Sequence, residues 1–434
     1  MGLLKSINSR PAYVEKPDST GNQTSNHDDQ GSSKSLKSVE SSSSNGIPLA
    51  LSFDRILEGG TCPPCTLRDF MNYLLYVERS AENLQFFLWH RDYERRFAAA
   101  KTADLSLAPE WTQAMEDEAI MRIKKDQAEK VRRSPKGSAT IFKGTDFEKS
   151  INSRDELVTP VTPVTPVTPT DRSRNLASQA FASAGVKDPF TIQPFRKELD
   201  RVIATYIMDG APRQLNLSEV EQKTTLQALA HTTHPSAFAL VARQTDAALR
   251  HLSHPNFIRW SICNANPTRL CTAWGVGSGA VLVGVVVAVV LTLSGEGRGY
   301  RALAAVAWVA GFATLMGVYK GMCILLHGLR HRHIRPWELF ASDLDNDDDE
   351  DAISAAKRSF DSFGSANSYE DEPWLVRYRE RAFSRRLFDR EVWVEEPALR
   401  QIQHVIFVQS IVFALVCAAV LTAVFVAVPA GGFF

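Results

Sequence analysis

The chain has 434 residues, with 49 Lys plus Arg against 49 Asp plus Glu, so it carries no formal net charge; 44% of its residues are hydrophobic and 23% are charged. That balance excludes a generally basic binder of nucleic acid, and no nucleic-acid partner is expected. The six cysteines are scattered, two of them (Cys323 and Cys417) inside apolar runs, which excludes a secreted disulfide framework.

Residues 1–47 are rich in Ser, Asn, Asp and Lys and poor in aromatics, too polar to build a core, and are expected to be disordered. They do not have the form of a secretory signal peptide. Met1-Gly2-Leu3-Leu4-Lys5-Ser6 fits the N-myristoylation pattern, which makes Gly2 a candidate lipidation site. Cys62-Pro63-Pro64-Cys65 has the spacing of a redox or half-zinc motif, but no second Cys/His pair follows at zinc spacing and no βαβ pattern surrounds it. It reads as a rigid turn leading into a helix, with no metal expected.

Through residues 48–133 the pattern is helical. Leu67, Phe70, Leu74 and Val77 recur at helical spacing. Ser80 is then a candidate N-cap with Glu82 in the first turn, and Leu84, Phe87, Leu88 and Arg91 continue one face. A strongly charged helical extension runs from 111 to 133 and need not share that core. Residues 134–188 read as a disordered insertion, carrying Val-Thr-Pro four times over from Val158 to Pro169. Proline at every third position excludes helix and favours an extended spacer, and each Thr-Pro also suits a proline-directed kinase. From 189 to 262 the helical pattern resumes: Phe195, Leu199, Val202, Ile203 and Tyr206 form an apolar face, and runs near 226–230, 238–241 and 248–260 add further helices. No strand pattern competes, so the soluble region reads as an all-α bundle.

Three apolar runs follow at 273–293, 303–326 and 405–428, each roughly the 20 residues or slightly more that a helix needs to cross a bilayer. Lys320 falls near the end of the second, within snorkelling reach of the headgroups. Arg250, Arg259 and Arg269 precede the first run, Arg330, Arg332 and Arg335 follow the second, and Arg400 precedes the third. The N-terminal region and the loop 327–404 are therefore expected in the cytosol and the tail 429–434 outside, with the lipid bilayer, anionic lipid included, as a partner. The acidic run 343–351 lacks the glycine and glutamate spacing of a calcium loop and reads as a solvated linker. Small residues four apart, at Gly275 and Gly279, Gly317 and Gly321, and Ala414 and Ala418, predict close packing of the spans. The spans hold too few polar groups for a transporter or channel.

Phe53-Asp-Arg-Ile-Leu57, Leu67-Arg-Asp-Phe-Met-Asn-Tyr-Leu74 and Glu78-Arg-Ser-Ala-Glu-Asn-Leu-Gln-Phe-Phe-Leu-Trp89 resemble the opening of an RGS domain, the regulator of G-protein signalling. Ile203 to Ala211, Gln214 to Leu217, Pro235 to Phe238 and Phe257 to Trp260 resemble its second half, split from the first by the insertion. With three C-terminal spans, Arg335-Pro-Trp-Glu338, Glu372-Pro-Trp374 and Trp393-Val-Glu-Glu-Pro397, the whole is similar to the fungal transmembrane RGS-like family tied to bud-site selection and cell polarity. The resemblance implies a plasma-membrane scaffold at sites of polarised growth, working with a second, large transmembrane landmark protein. Such a domain is not itself an enzyme and needs no cofactor. In the RGS family it clamps a Gα subunit so that GTP is hydrolysed faster on Gα itself, and activation of Gα is the alternative function. The matching contact residues are Glu82, Asn83 and Asn216. Leu252 and Asn256 stand where an aspartate and an arginine are usual, and each missing charge-assisted hydrogen bond costs about 1.5 to 3 kcal/mol of binding. Asn83 has a second reading, as a brace for its own helix start.

Overall fold

The computed structural model describes residues 47–100, 106–133, 169–187, 189, 192–294, 297–338, 362–363, 378 and 380–429. Gly2 and the polar N-terminal stretch, most of the Val-Thr-Pro repeats, the acidic run and Glu372-Pro-Trp374 lie outside the described residues. The described chain is mostly helical, and three of its helices are long and apolar enough to cross a membrane.

In chain order the helices are α1 (Phe53–Leu57), α2 (Leu67–Tyr73), α3 (Ala81–Ala98), α4 (Gln113–Arg133), α5 (Pro169–Ser183), α6 (Arg196–Val202), α7 (Glu219–His231), α8 (Ala239–Ala248), α9 (His254–Ile262), α10 (Pro267–Leu293), α11 (Ala304–Tyr319), α12 (Ile324–Leu329), α13 (Phe383–Leu387) and α14 (Pro397–Ala427). Strand β1 (His331–His333) pairs antiparallel with β2 (Glu391–Trp393), Arg332 opposite Val392. This short ribbon belongs to the loop between the second and third spans. The described residues form two compact units, one of 74–251 with 362–363, the other of 47–73, 252–338 and 378–429.

The first unit is a helical bundle around Phe86, Trp89, Tyr93, Phe181, Tyr206 and Phe238. On α3 the buried stripe is Leu84, Phe86, Trp89, Tyr93 and Phe97, whereas Phe87 and Leu88 are half-buried and Arg91 is exposed. The expected face was therefore out of phase, because the large aromatics at 86, 89 and 93 take the core. Ser80 precedes α3, but its hydroxyl donates to Glu78 at 3.0 Å and does not cap the helix. Of the apolar face expected next, Leu199 and Val202 of α6 and Ile203 and Tyr206 of the π-helical turn that follows it (Ile203–Ile207) are fully buried, whereas Phe195, just before α6, is half-buried.

Two further segments join the core of this unit. Residues 169–183, assigned to a disordered spacer, form α5, which buries Ala177, Ala180 and Phe181 in the core. The last proline of the repeats is its first residue, where a missing N–H costs nothing. The charged extension also joins the core: Trp111, Met115 and Ala119 pack against it, and the buried Glu116 carboxylate accepts from Arg243.

In the second unit the spans pack through small residues. A side-chain carbon added at Gly284 would lie 2.6 Å from the Trp308 ring, and one at Gly311 would lie 2.7 Å from Val281, whereas at Gly275 and Gly279 it would meet open space. The first span thus uses Gly277 and Gly284 rather than the expected glycine pair; Ala414 and Ala418 of the third span are buried as expected. The second span runs Arg298–Tyr319, not 303–326. Its helix stops because Gly321 adopts φ +78°, while Met322 N–H bonds Gly317 O at 2.9 Å and Gly321 N–H bonds Val318 O at 2.8 Å. That pair of bonds is the Schellman closure that only glycine enters cheaply. Lys320 therefore lies at a helix end, where a cation meets the negative end of the helix dipole.

Candidate functional site

Asn216 is presented by a braced loop. Gly210 turns the chain at φ +72°, and Gln214 Oε1 accepts from its N–H at 3.0 Å. Arg213 N–H bonds Thr205 O at 3.1 Å and Leu215 N–H bonds Tyr206 O at 2.9 Å. The extended segment alternates, so Arg213 and Leu215 are buried and Gln214 and Asn216 face out. Gln244 donates to the Asn216 carbonyl at 3.4 Å, and a capping box between Ser218 and Glu221 starts α7 directly behind.

Glu82 and Asn83 lie half-buried in the first turn of α3. Burial, with Glu78 adding to it, holds the Glu82 carboxyl above the usual carboxylate range. Its own backbone N–H and the Arg213 guanidinium oppose the shift, so the structure brings Glu82 electrostatically within reach of the Asn216 loop. Among the described residues the Asn83 side chain makes no hydrogen bond, so it does not brace its own helix start, and the exposed Asn216 amide also has no described partner. Arg213 is the residue that sequence reasoning missed. Its signal was the in–out alternation of Arg213 to Asn216, hidden inside a run read only as part of a family pattern. Leu252 is exposed and Asn256 half-buried.

Comparison with known protein families, with curated proteins and with solved structures finds no match for this chain.

In the other unit three motifs noted along the sequence meet beside the spans. Cys65 N–H closes the Cys62–Cys65 turn on Cys62 O at 2.9 Å, and Pro63 O accepts from both Glu395 and Glu396 N–H at 3.0 and 3.1 Å. Glu396 returns the contact, accepting from Cys62 N–H at 2.8 Å while capping α14 through Ala398 N–H. Burial, then Glu396 and Asp69, pushes the Cys65 thiol up to about 12, so it is not a nucleophile at neutral pH. Among the described residues no group of three or more His, Cys, Asp or Glu could hold a metal ion.

The Arg335-Pro-Trp-Glu338 motif builds the neighbouring layer. The Arg335 guanidinium lies 3.7 Å from the Trp260 ring centroid, and Trp337 stacks on the same indole at 5.8 Å. Glu338 takes a two-pronged bond from Arg332 at 2.9 and 3.2 Å and caps the turn through Arg335 N–H. Burial, reinforced by Arg332, pulls Arg335 down to about 10, which leaves it cationic at neutral pH. Asn264 exchanges two hydrogen bonds with the backbone of Cys323, and its carbonyl accepts from His333. The start of the first span and the end of the second are thereby tied together. At the opposite end the fully buried Arg301 donates to Phe425 O and Val428 O at 2.7 and 2.6 Å, filling carbonyls that α14 leaves unpaired.

Proposed function

We propose that this chain is a membrane-anchored, RGS-like polarity and bud-site-selection factor whose helical bundle scaffolds signalling or landmark proteins at the plasma membrane. One observation carries the reading: a compact helical unit, built as a core of its own, shares a chain with three helices fit to cross a bilayer. Arg269, Arg330, Arg332, Arg335 and Arg386 gather at one end of the spans and only Arg298 and Arg301 at the other among the described residues. By the positive-inside rule the first end is cytosolic, and the bundle with it. The partners in this reading are the bilayer and a second transmembrane landmark protein.

The alternative reading, a GTPase activator for Gα, is favoured by one particular feature: Asn83 and Asn216 hold out amides with no described partner, and burial of Glu82 beside the Asn216 loop leaves its carboxyl poised to accept a hydrogen bond. Single-turnover GTP hydrolysis by fungal Gα subunits, with the full chain in lipid nanodiscs, separates the two. The scaffold reading expects no acceleration and expects Asn83→Ala with Asn216→Ala to leave membrane localisation and capture of the landmark protein intact. Acceleration that the double substitution abolishes would replace scaffold by activator.

A further inference from the structure

Far from the bundle in sequence, in the loop between the second and third spans, Ser362 and Phe363 are seated on the bundle and belong to its compact unit. They close an open cleft of about 710 Å3 that Leu88, Trp89 and Asp92 of α3 line together with Lys197 and Arg201 of α6. Each contact reads a different part of the segment. The Tyr206 hydroxyl, on a residue with no exposed surface, donates to the Ser362 carbonyl at 2.7 Å, which holds the backbone. The Ser362 hydroxyl donates to the Gln85 carbonyl at 3.3 Å, which registers a small hydroxylic side chain. Phe363 packs on the core, and the Arg201 guanidinium carbon stands 5.7 Å from its ring centroid, which favours an aromatic over an aliphatic group.

We propose that this cleft is a binding site for a short Ser–Phe turn and that Ser362 and Phe363, from the loop between the spans, are its resident occupant. A backbone carbonyl taken by a buried tyrosine, a hydroxyl taken by a helix carbonyl and a ring taken under a cation together let a groove recognise a short peptide by backbone and side chain at once. Tethering supplies the occupant at an effective concentration in the millimolar range, so a free segment of the same kind competes only when the tethered one is weakened. The inference does not depend on the RGS-like reading.

The test uses the full chain in lipid nanodiscs and a fluorescein-labelled peptide of residues 361–367, which holds a single Ser–Phe pair. Phe363→Ala is expected to bind the peptide about tenfold more tightly than the unmodified chain, because the site is then vacated. A peptide carrying Phe363→Ala is expected not to compete. Equal titrations for the two chains, two flat ones included, overturn the proposal, as does competition by the alanine peptide. Tyr206→Phe keeps the ring in the core and removes only the hydroxyl. It is expected to speed amide exchange at 362–363 about tenfold without changing exchange in α7, and unchanged exchange at 362–363 overturns the proposal independently.

Discussion

Phe86, Trp89, Tyr93, Phe181, Tyr206 and Phe238 fill the core of the bundle, whereas Gly277, Gly284, Gly311, Ala288, Ala414 and Ala418 line the contacts between the spans, with Trp308 as the large side chain set among them. In water, burying a large ring is itself the driving force, so the bundle collects rings. In lipid a ring gains nothing by leaving the hydrocarbon, so the spans gain by bringing backbones close. Polar groups follow the same division. The bundle tolerates a charged network at its margin, where Trp89 and Arg96 both donate to Glu198 at 2.6 to 2.8 Å and, against the upward push of burial, hold that carboxylate below its usual range. Arg301 is buried at the end of the spans only because two helix-end carbonyls meet it.

The largest expected effect is in the bundle. Phe238 has no exposed surface and packs on Phe86, Trp89, His90 and Tyr93. Phe238→Ala is expected to cost about 3–5 kcal/mol in urea unfolding followed by tryptophan fluorescence. A loss under about 1 kcal/mol would show that the ring cluster does not carry the bundle.

A smaller effect is expected in the spans, with the opposite chemistry. Gly284→Val puts a side chain into the Trp308 ring and is expected to cost about 1–3 kcal/mol on titration with denaturing detergent. Gly279→Val, which points into open space, is expected to cost almost nothing; equal costs would remove the argument from close approach.

The smallest effect concerns the layer beside the spans. His333 Nε2 lies 3.0 Å from Arg269 Nη1, which also donates to Glu391 at 2.6 Å, so the imidazole must be neutral to accept. Burial first, and then Arg269, holds its pKa below the ordinary histidine value. Because the unfolded chain takes up that proton first, the contribution is complete above about pH 6.5 and is lost as pH falls through the lowered value. Amide exchange in β1 and β2 is therefore expected to quicken from pH 7.5 to 5.5, and His333→Gln, which still accepts but does not titrate, is expected to flatten the response.

Much of this molecule is legible along the chain, for reasons that are local. Span length, the 3.6-residue recurrence on α6 and the exclusion of strands from the soluble region need only hydrophobic periodicity. Glu82, Asn83 and Asn216 could be picked out by a motif. That the two asparagine amides lack a described partner could not, since that depends on what Ser80, Glu78 and Arg213 do in three dimensions. The α5 helix has no such signal, because its core residues are two alanines and one phenylalanine in a polar stretch, too few to mark burial until α6 and the turn after it stand beside them.

Position along the chain determined which segments are helical and which are apolar enough for a membrane, because backbone preference and hydropathy are properties of neighbours. Only the tertiary structure decided that the Cys62–Cys65 turn clasps Glu395 and Glu396, that Arg335 and Trp337 share Trp260, and that Ser362 and Phe363 rest on the bundle. Those contacts join residues tens to hundreds of positions apart, and a pairing of that range has no signature in local sequence until the fold has brought its two sides together.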